Sequence, residues 1–293
     1  MSDAIGFIGL GVMGEPICRN LVRKSGRKVL AFDLAAEPLA RIAAEGATAA
    51  SSLAELVSGS ETIFLCLPSA KHVLSVFDGI LPTIRDGQTV IDLGTSDVAM
   101  TRDFARRLAE TGALWIDAPI ARTRQAAQDG TLSVMVGATA EQFAAVEPLI
   151  RHFATDVTLC GRTGAGQVTK ILNNMVLFET VNALAEAVAI ARHSGVEPKL
   201  LLETLSKGSA DSFALRNHGM KAIVPDEFPL RAFSTEYALK DLTYALSLGA
   251  QAGLDLRGAA LIRSIFEEAI GKGMGDAYFP VIARLIDPPR SAG

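Results

Sequence analysis

Up to about residue 160, short apolar runs alternate with stretches whose apolar residues recur every three or four positions. The runs at 5–8, 28–33, 62–67, 89–93, 114–117, 132–136 and 157–160 read as strands. Helical spacing occupies several of the gaps, as at 37–45, 100–111 and 140–151. This alternation predicts a mostly parallel, doubly wound sheet of the α/β class. Ligands bind such sheets at the carboxyl ends of the strands, near the point where strand order reverses. The loops at 67–69 and 94–96, and the segment from 117 onward, are therefore candidate site loops. After Gly161 the texture changes. Gly164-Ala165-Gly166 opens a helical pattern that runs to about His193, before Gly195 stops it. Nearly thirty residues at 1.5 Å each make a helix of roughly 45 Å, longer than most globular helices. Two helices joined by a kink are the alternative. Downstream, 199–206, 234–252, 258–271 and 279–286 read as helices, with no convincing strand. The expected division is a sheet domain over 1–162 and an all-α domain over 163–293, joined by the long helix.

The first strand runs directly into Gly9-Leu10-Gly11-Val12-Met13-Gly14, the spacing G-x-G-x-x-G, and the second ends on Asp33. Glycine triplets are common in loops, but this one sits between a strand and a helix pattern, with an acid nineteen positions after the last glycine. Gly9 permits the tight turn, Gly11 lets a pyrophosphate approach the backbone, and Gly14 lets helix and strand pack closely. The helix N-terminus offers N–H groups and a positive dipole end to phosphates. Asp33 would accept from an adenosine ribose and repel a 2′-phosphate, which favours NAD over NADP. The sheet is then Rossmann-type, with Val12 and Met13 also at the cofactor.

Composition narrows the class without changing it. At 49% hydrophobic and 20% charged residues, the chain can bury an ample core, and a net charge of −4 gives no general reason to expect nucleic acid. Cys18, Cys66 and Cys160 are far apart in apolar surroundings, and are expected to be buried free thiols of a reducing compartment. His72, His152, His193 and His218 form no metal-like spacing, so no metal site is expected. No apolar run approaches a membrane span and no basic leader precedes the first strand, so a cytoplasmic protein without membrane partners is expected.

In the long helix, Lys170 and Asn174 lie four residues apart and share a face. By spacing alone they could equally be a solvated lysine beside a surface asparagine. Taken in order, five blocks resemble the β-hydroxyacid dehydrogenase family, which includes 3-hydroxyisobutyrate dehydrogenase and tartronate semialdehyde reductase. They are Gly6 to Pro16, Asp117-Ala118-Pro119-Ile120, Gly130-Thr131-Leu132 with Met135-Val136-Gly137, Gly164-x-Gly166-x-x-x-Lys170-x-x-x-Asn174, and Lys240-Asp241-Leu242. The resemblance spans essentially the whole chain. It implies an NAD-dependent oxidoreductase acting on a small 3-hydroxy acid or its semialdehyde, and a homodimer or homotetramer. It implies Lys170 as catalytic acid/base, Asn174 as a substrate partner, Lys240 and Thr95 near the nicotinamide, and Leu67-Pro68 beside the cofactor ribose. Hydride transfer leaves a hydroxyl proton to be taken up, which a lysine can do where burial and nearby positive charge lower its pKa.

One block departs from the family. Where members usually read Asp-Ala-Pro-Val-Ser-Gly-Gly, this chain reads Asp117-Ala118-Pro119-Ile120-Ala121-Arg122-Thr123, followed by Arg124. Backbone freedom is exchanged for a guanidinium, a fork suited to oxyanions. The Arg-Thr pair is similar to that of sulfolactaldehyde reductases, although Ala121 and Arg124 replace their flanking Gly and Ser. Arg122 with Thr123 is accordingly expected to grip the anionic tail of the substrate, carboxylate or sulfonate. The plain alternative is a solvated or ion-paired arginine above a carboxylate-binding backbone. Two other functions compete: an imine-type reductase, which Lys170 argues against, and a non-catalytic dinucleotide-binding module.

Overall fold

The computed structural model describes residues 4–230 and 232–288. The chain divides between Lys170 and Ile171 into two units.

The first unit is built on nine strands among the described residues: β1 (Ile5–Ile8), β2 (Val29–Phe32), β3 (Thr48–Ala49), β4 (Thr62–Leu65), β5 (Thr89–Asp92), β6 (Leu114–Asp117), β7 (Ile120–Ala121), β8 (Leu132–Gly137) and β9 (Ala154–Gly161). Their order is β3-β2-β1-β4-β5-β6-β8-β7, with β9 beside β8. From β3 to β6 every pairing is parallel, whereas β8 runs antiparallel to β6 and β7 and parallel to β9. The chain winds outward from β1 in one direction and resumes at β4 in the other, so strand order reverses between β1 and β4. This is the expected Rossmann-type sheet.

Both faces of the central strands are buried, and alternation divides each strand between two cores. Ile5 and Phe7 of β1 and Phe64 of β4 pack on one face with Ile17 and Leu21. Ile8, Ile63 and Leu65 pack on the other with Phe77, Phe104 and Trp115. Helices α1 (Gly14–Lys24), α2 (Ala36–Ala44), α3 (Leu53–Gly59), α4 (Ala70–Ile80), α5 (Val98–Ala109), α6 (Arg124–Asp129) and α7 (Ala140–Ile150) connect the strands. The strand expected at 157–160 is longer than the apolar run indicates. Half of β9, including Asp156, is solvent-facing, so charge hides its pairing with β8.

The long pattern is one helix, α8 (Ala165–His193), of 29 residues. Its start is held in the first unit by Asp117, the last residue of β6. Asp117 Oδ1 accepts from the Gly164 N–H at 2.7 Å and Oδ2 from the Gln167 N–H at 2.9 Å. The carboxylate is fully buried. Burial pushes its pKa up, opposed by the backbone N–H groups that bond its charged form. Glycines make room for it: a Cβ at Gly137 would lie 2.3 Å from Asp117 Oδ1, and one at Gly166 would lie 2.3 Å from the Met135 carbonyl.

The second unit contains the rest of α8 with α9 (Pro198–Leu205), α10 (Thr235–Gln251), α11 (Arg257–Gly271) and α12 (Ala283–Ile286), and no strand among its described residues. Phe178 centres its core, with the rings of Phe279 and Phe266 at 5.1 and 5.3 Å. One segment adds to the expected elements and one divides. Leu215–Ile223 is a π-helix, and 279–286 divides into a 3₁₀ turn (Phe279–Ile282, with Pro280 early in it) and α12. Among the described residues α8 alone is long and apolar enough to cross a membrane, with mean hydropathy 1.3 over a window half buried in the protein. Polar Asn174, Asn182 and Glu186 interrupt it, which is why no apolar run stands out. Of the three free cysteines Cys18 is buried as expected, whereas Cys66 and Cys160 are only half-buried, since both lie at strand ends.

Asp117→Asn should cost about 1–3 kcal/mol, because an amide oxygen satisfies one N–H and its NH2 faces the other. Urea unfolding should show a lower midpoint at unchanged slope. An unchanged midpoint would refute this role for the carboxylate.

Candidate active site

The glycine turn follows β1, and its three glycines meet three different demands. Gly9 has φ +95°, a left-handed conformation, and a Cβ there would lie 2.4 Å from the Cys66 carbonyl at the end of β4. At Gly14 a Cβ would lie 1.9 Å from the Gly9 carbonyl, so helix α1 could not pack against the turn. Gly11 faces open space, with nothing within 4 Å of an added Cβ. Two glycines thus serve the protein's own packing, and the third leaves a cradle that a Cβ would fill. Helix α1 begins there with Met13 as its N-cap and no side-chain cap. The Glu15 N–H bonds the Gly11 carbonyl at 3.1 Å and Pro16 has no N–H, so the turn ahead of them would meet phosphate oxygens.

Asp33 stands at the end of β2. Its Oδ2 accepts from the Leu10 N–H at 2.5 Å and its Oδ1 from the Ala35 N–H at 2.7 Å, which fixes the carboxylate against the turn. Each oxygen keeps a lone pair for a ribose hydroxyl. The open side of the turn borders a cavity lined by Gly11, Val12, Arg19, Arg41 and Arg124. Arg19 and Arg41 share Glu15, which they hold below the ordinary carboxylate range. Sequence reasoning assigned these cations no part in holding phosphates. The residues present fit a dinucleotide.

The other expected cofactor positions in this unit follow neighbouring strands. Leu67 and Pro68 follow β4, half-buried and exposed respectively, and a Leu67 methyl lies 2.9 Å from a Cβ placed on Gly9. Thr95 follows β5 and is 7% exposed. Its loop is tied to its own strand by Asp92, which accepts from the Gly94 N–H at 2.9 Å and the Ser96 hydroxyl at 3.2 Å. It is tied to α8 by Gln167, whose Nε2 donates to the Gly94 carbonyl at 2.8 Å while Oε1 accepts from the Ser96 N–H at 3.0 Å. Lys170 is half-buried, three residues further along α8.

In the second unit Asn174 is 1% exposed, which removes the surface-asparagine alternative. Its Nδ2 donates to Asp241 Oδ2 at 2.7 Å. A carboxylate only accepts, so this bond fixes which way the amide faces. Lys240 Nζ lies 3.2 Å from Asp241 Oδ1 and 3.8 Å from the Tyr237 ring centre. Asp241 therefore gathers Asn174 and Lys240, a link invisible in sequence because 67 residues separate its ends.

Arg122 and Thr123 lie elsewhere in the first unit's bonding. Arg122 Nη1 donates to the Thr131 carbonyl at 2.6 Å and to Thr155 Oγ1 at 3.1 Å, and Nη2 pairs with Asp156 at 2.7 Å. Its backbone has φ +86°, the left-handed conformation that glycine adopts freely. Such a conformation costs a non-glycine residue about 1–3 kcal/mol. The turn therefore keeps the shape of a glycine turn without the glycine. Thr123 caps α6, its Oγ1 accepting from the Ala126 N–H at 3.3 Å.

Comparison with known proteins agrees with this geometry. Residues 4–161 match the family model of the NAD-binding domain of 6-phosphogluconate dehydrogenase, and 164–286 that described as NAD-binding of NADP-dependent 3-hydroxyisobutyrate dehydrogenase. The chain is 34% identical to the 2-(hydroxymethyl)glutarate dehydrogenase of Eubacterium barkeri, covering 94% of this chain and 91% of that one. It is 31% identical to the mitochondrial 3-hydroxyisobutyrate dehydrogenase of Mus musculus, over 96% and 86%. Among solved structures, Mycobacterium tuberculosis 3-hydroxyisobutyrate dehydrogenase with L-serine superposes with a TM-score of 0.89 at 27% identity, over 98% and 100%.

The differing demands on the glycines separate two variants. Gly11→Ala should fold with undiminished stability, since its Cβ meets nothing, yet weaken NAD binding by about tenfold or more, measured by calorimetry. Gly14→Ala should lose stability as well. Undiminished NAD affinity in Gly11→Ala would contradict the cradle.

Proposed function

The chain belongs to the β-hydroxyacid dehydrogenase family, and from that membership we propose that it uses NAD to interconvert a small anionic 3-hydroxy acid, or its sulfonate analogue, with the matching semialdehyde. The observation that carries this reading is Lys170. It stands one helical turn beyond Gln167, whose amide is bonded to the loop ending β5, where Thr95 is assigned to the nicotinamide. Gly9 to Gly14 and Asp33 would hold the dinucleotide, with Leu67 and Pro68 beside its ribose. Bound NAD supplies a hydride acceptor, and its reduced form a hydride donor.

Lys170 then does the proton work. Its amine takes the hydroxyl proton as the alcohol is oxidised. In the reverse direction its ammonium polarises the carbonyl oxygen and returns the proton. Asn174, held by Asp241 through one amide N–H, has its second Nδ2 N–H to donate to the substrate oxygen while the hydroxyl proton goes to Lys170. Lys240, placed by Asp241 and Tyr237, is assigned to the nicotinamide on the family resemblance alone.

The turn containing Ala121, Arg122 and Thr123 is assigned the anionic tail. Its left-handed backbone at Arg122 matches what glycine would supply, and the guanidinium adds positive charge that Asp156 shares. Arg122 is the residue through which a sulfonate would be preferred to a carboxylate.

Two outcomes are expected. Lys170→Ala should lose a factor of about 10² or more in kcat while NAD binds as before; turnover equal to wild type would sink the acid/base role. For Arg122, kcat/KM should be compared between 3-hydroxyisobutyrate, L-serine and a hydroxyalkyl sulfonate. Arg122→Gly should cost the sulfonate about tenfold more than the carboxylates, or about 1.4 kcal/mol of discrimination. The same preference in both proteins would leave Arg122 only as the tie from β7 to β9.

A further inference from the structure

We propose that Gln167 is a positioning residue that sets the loop ending β5 in register with Lys170, a role resting on Lys170 as acid/base and Thr95 at the nicotinamide. Gln167 is fully buried, and its side chain spends both of its functions on one loop. The amide N–H donates to the carbonyl before Thr95, and the amide oxygen accepts from the N–H after it. Thr95 is thus bracketed by a single side chain, much as a strand neighbour would bracket it. The base of that side chain is held too, because the Gln167 N–H donates to buried Asp117 at the end of β6. The ends of β5 and β6 are therefore joined at one residue of α8, and Lys170 is the next turn.

Chemistry explains why an amide stands here. A carboxylate only accepts, an ammonium only donates, and an apolar side chain of the same volume does neither. Any of these leaves the Gly94 carbonyl, the Ser96 N–H or both without their buried partner. Asp92 bonds the loop to its own strand through Gly94 and Ser96, whereas the Gln167 amide carries that loop's bonds to α8. Register matters because hydride and proton leave the same carbinol in opposite directions. The reacting atoms must approach to about 3–3.5 Å on both sides, and a displacement of ~1 Å can cost about 10² in rate.

The test uses Gln167→Glu and the uncharged isostere Gln167→Met. When the carboxyl introduced by Gln167→Glu is protonated, it can donate to Gly94 and accept from Ser96; ionised, it can only accept. Burial and nearby Asp117 should raise its pKa above the ordinary ~4.3. As pH falls through that value, three readouts should return together towards wild type: slow amide exchange at Ser96, the nicotinamide emission of bound NADH, and kcat for semialdehyde reduction. Above it kcat should be down about 30–100-fold, with ADP-ribose affinity unchanged throughout. Gln167→Met should stay low at every pH. Wild-type behaviour of Gln167→Glu across the range would overturn the proposal. So would a loss of ADP-ribose binding that accompanies the kcat loss at every pH, which would mark a merely structural role. Full activity of Lys170→Ala would remove the acid/base assignment instead, and would leave the Ser96 exchange and NADH emission results standing.

Discussion

One buried carboxylate organises the region of the first unit where β5, β6 and the start of α8 meet. Asp117 is fully buried, and its charge meets the N-terminus of α8: the Gly164 and Gln167 N–H groups and the positive end of a helix dipole. The same bonds that make the buried charge tolerable fix where α8 begins, and with it where Lys170 falls. Three sequence blocks that look independent are then one contact. The Asp of Asp117-Ala118-Pro119, the Gly137 ending β8 and the Gly164-x-Gly166 opening α8 meet around two oxygen atoms, and a Cβ at Gly137 or Gly166 would collide there.

The glycine turn after β1 solves the opposite problem. It must bury nothing polar, and must instead present backbone N–H groups to a ligand while keeping the sheet close-packed beneath. Gly9 and Gly14 serve the packing, and Gly11 faces open space, where the proposed ligand would lie. Asp33 contributes to both, tying the Leu10 N–H while keeping lone pairs for a ribose. The strand ends between this turn and Asp117 carry Leu67 and Thr95, so the positions proposed for the cofactor lie on neighbouring strands.

Much of this was legible in the chain. Alternation gave the sheet, the 3.6 period gave α8 as one helix within a residue of its ends, and the glycine spacing with Asp33 gave the cofactor class. Less visible features depended on partners distant in sequence. Gln167 sits inside a recognised block, yet its bonds run to residues 71 and 73 positions away. Asp241 reads as part of Lys240-Asp241-Leu242, and only the fold brings it to Asn174. The Arg122 turn is the instructive case. Loss of two glycines reads as a lost conformation, whereas the backbone keeps φ +86° and the guanidinium is bonded across to β9. Side-chain bonds hold a shape that glycine adopts without help. The π-helix at Leu215–Ile223 lies where no element is expected, its apolar positions being interrupted by Arg216, Asn217, His218 and Gly219.

The central claim is that an amine at position 170 moves the proton while the surrounding residues hold the reactants. Chemical rescue of Lys170→Gly tests it most directly. Initial rates of NADH formation from the preferred hydroxy acid would be measured against the concentration of small primary amines of differing basicity. The account requires turnover that rises with amine concentration and tracks amine basicity, at unchanged NAD affinity. A rate insensitive to every amine, in a variant that still binds NAD and substrate, would contradict it.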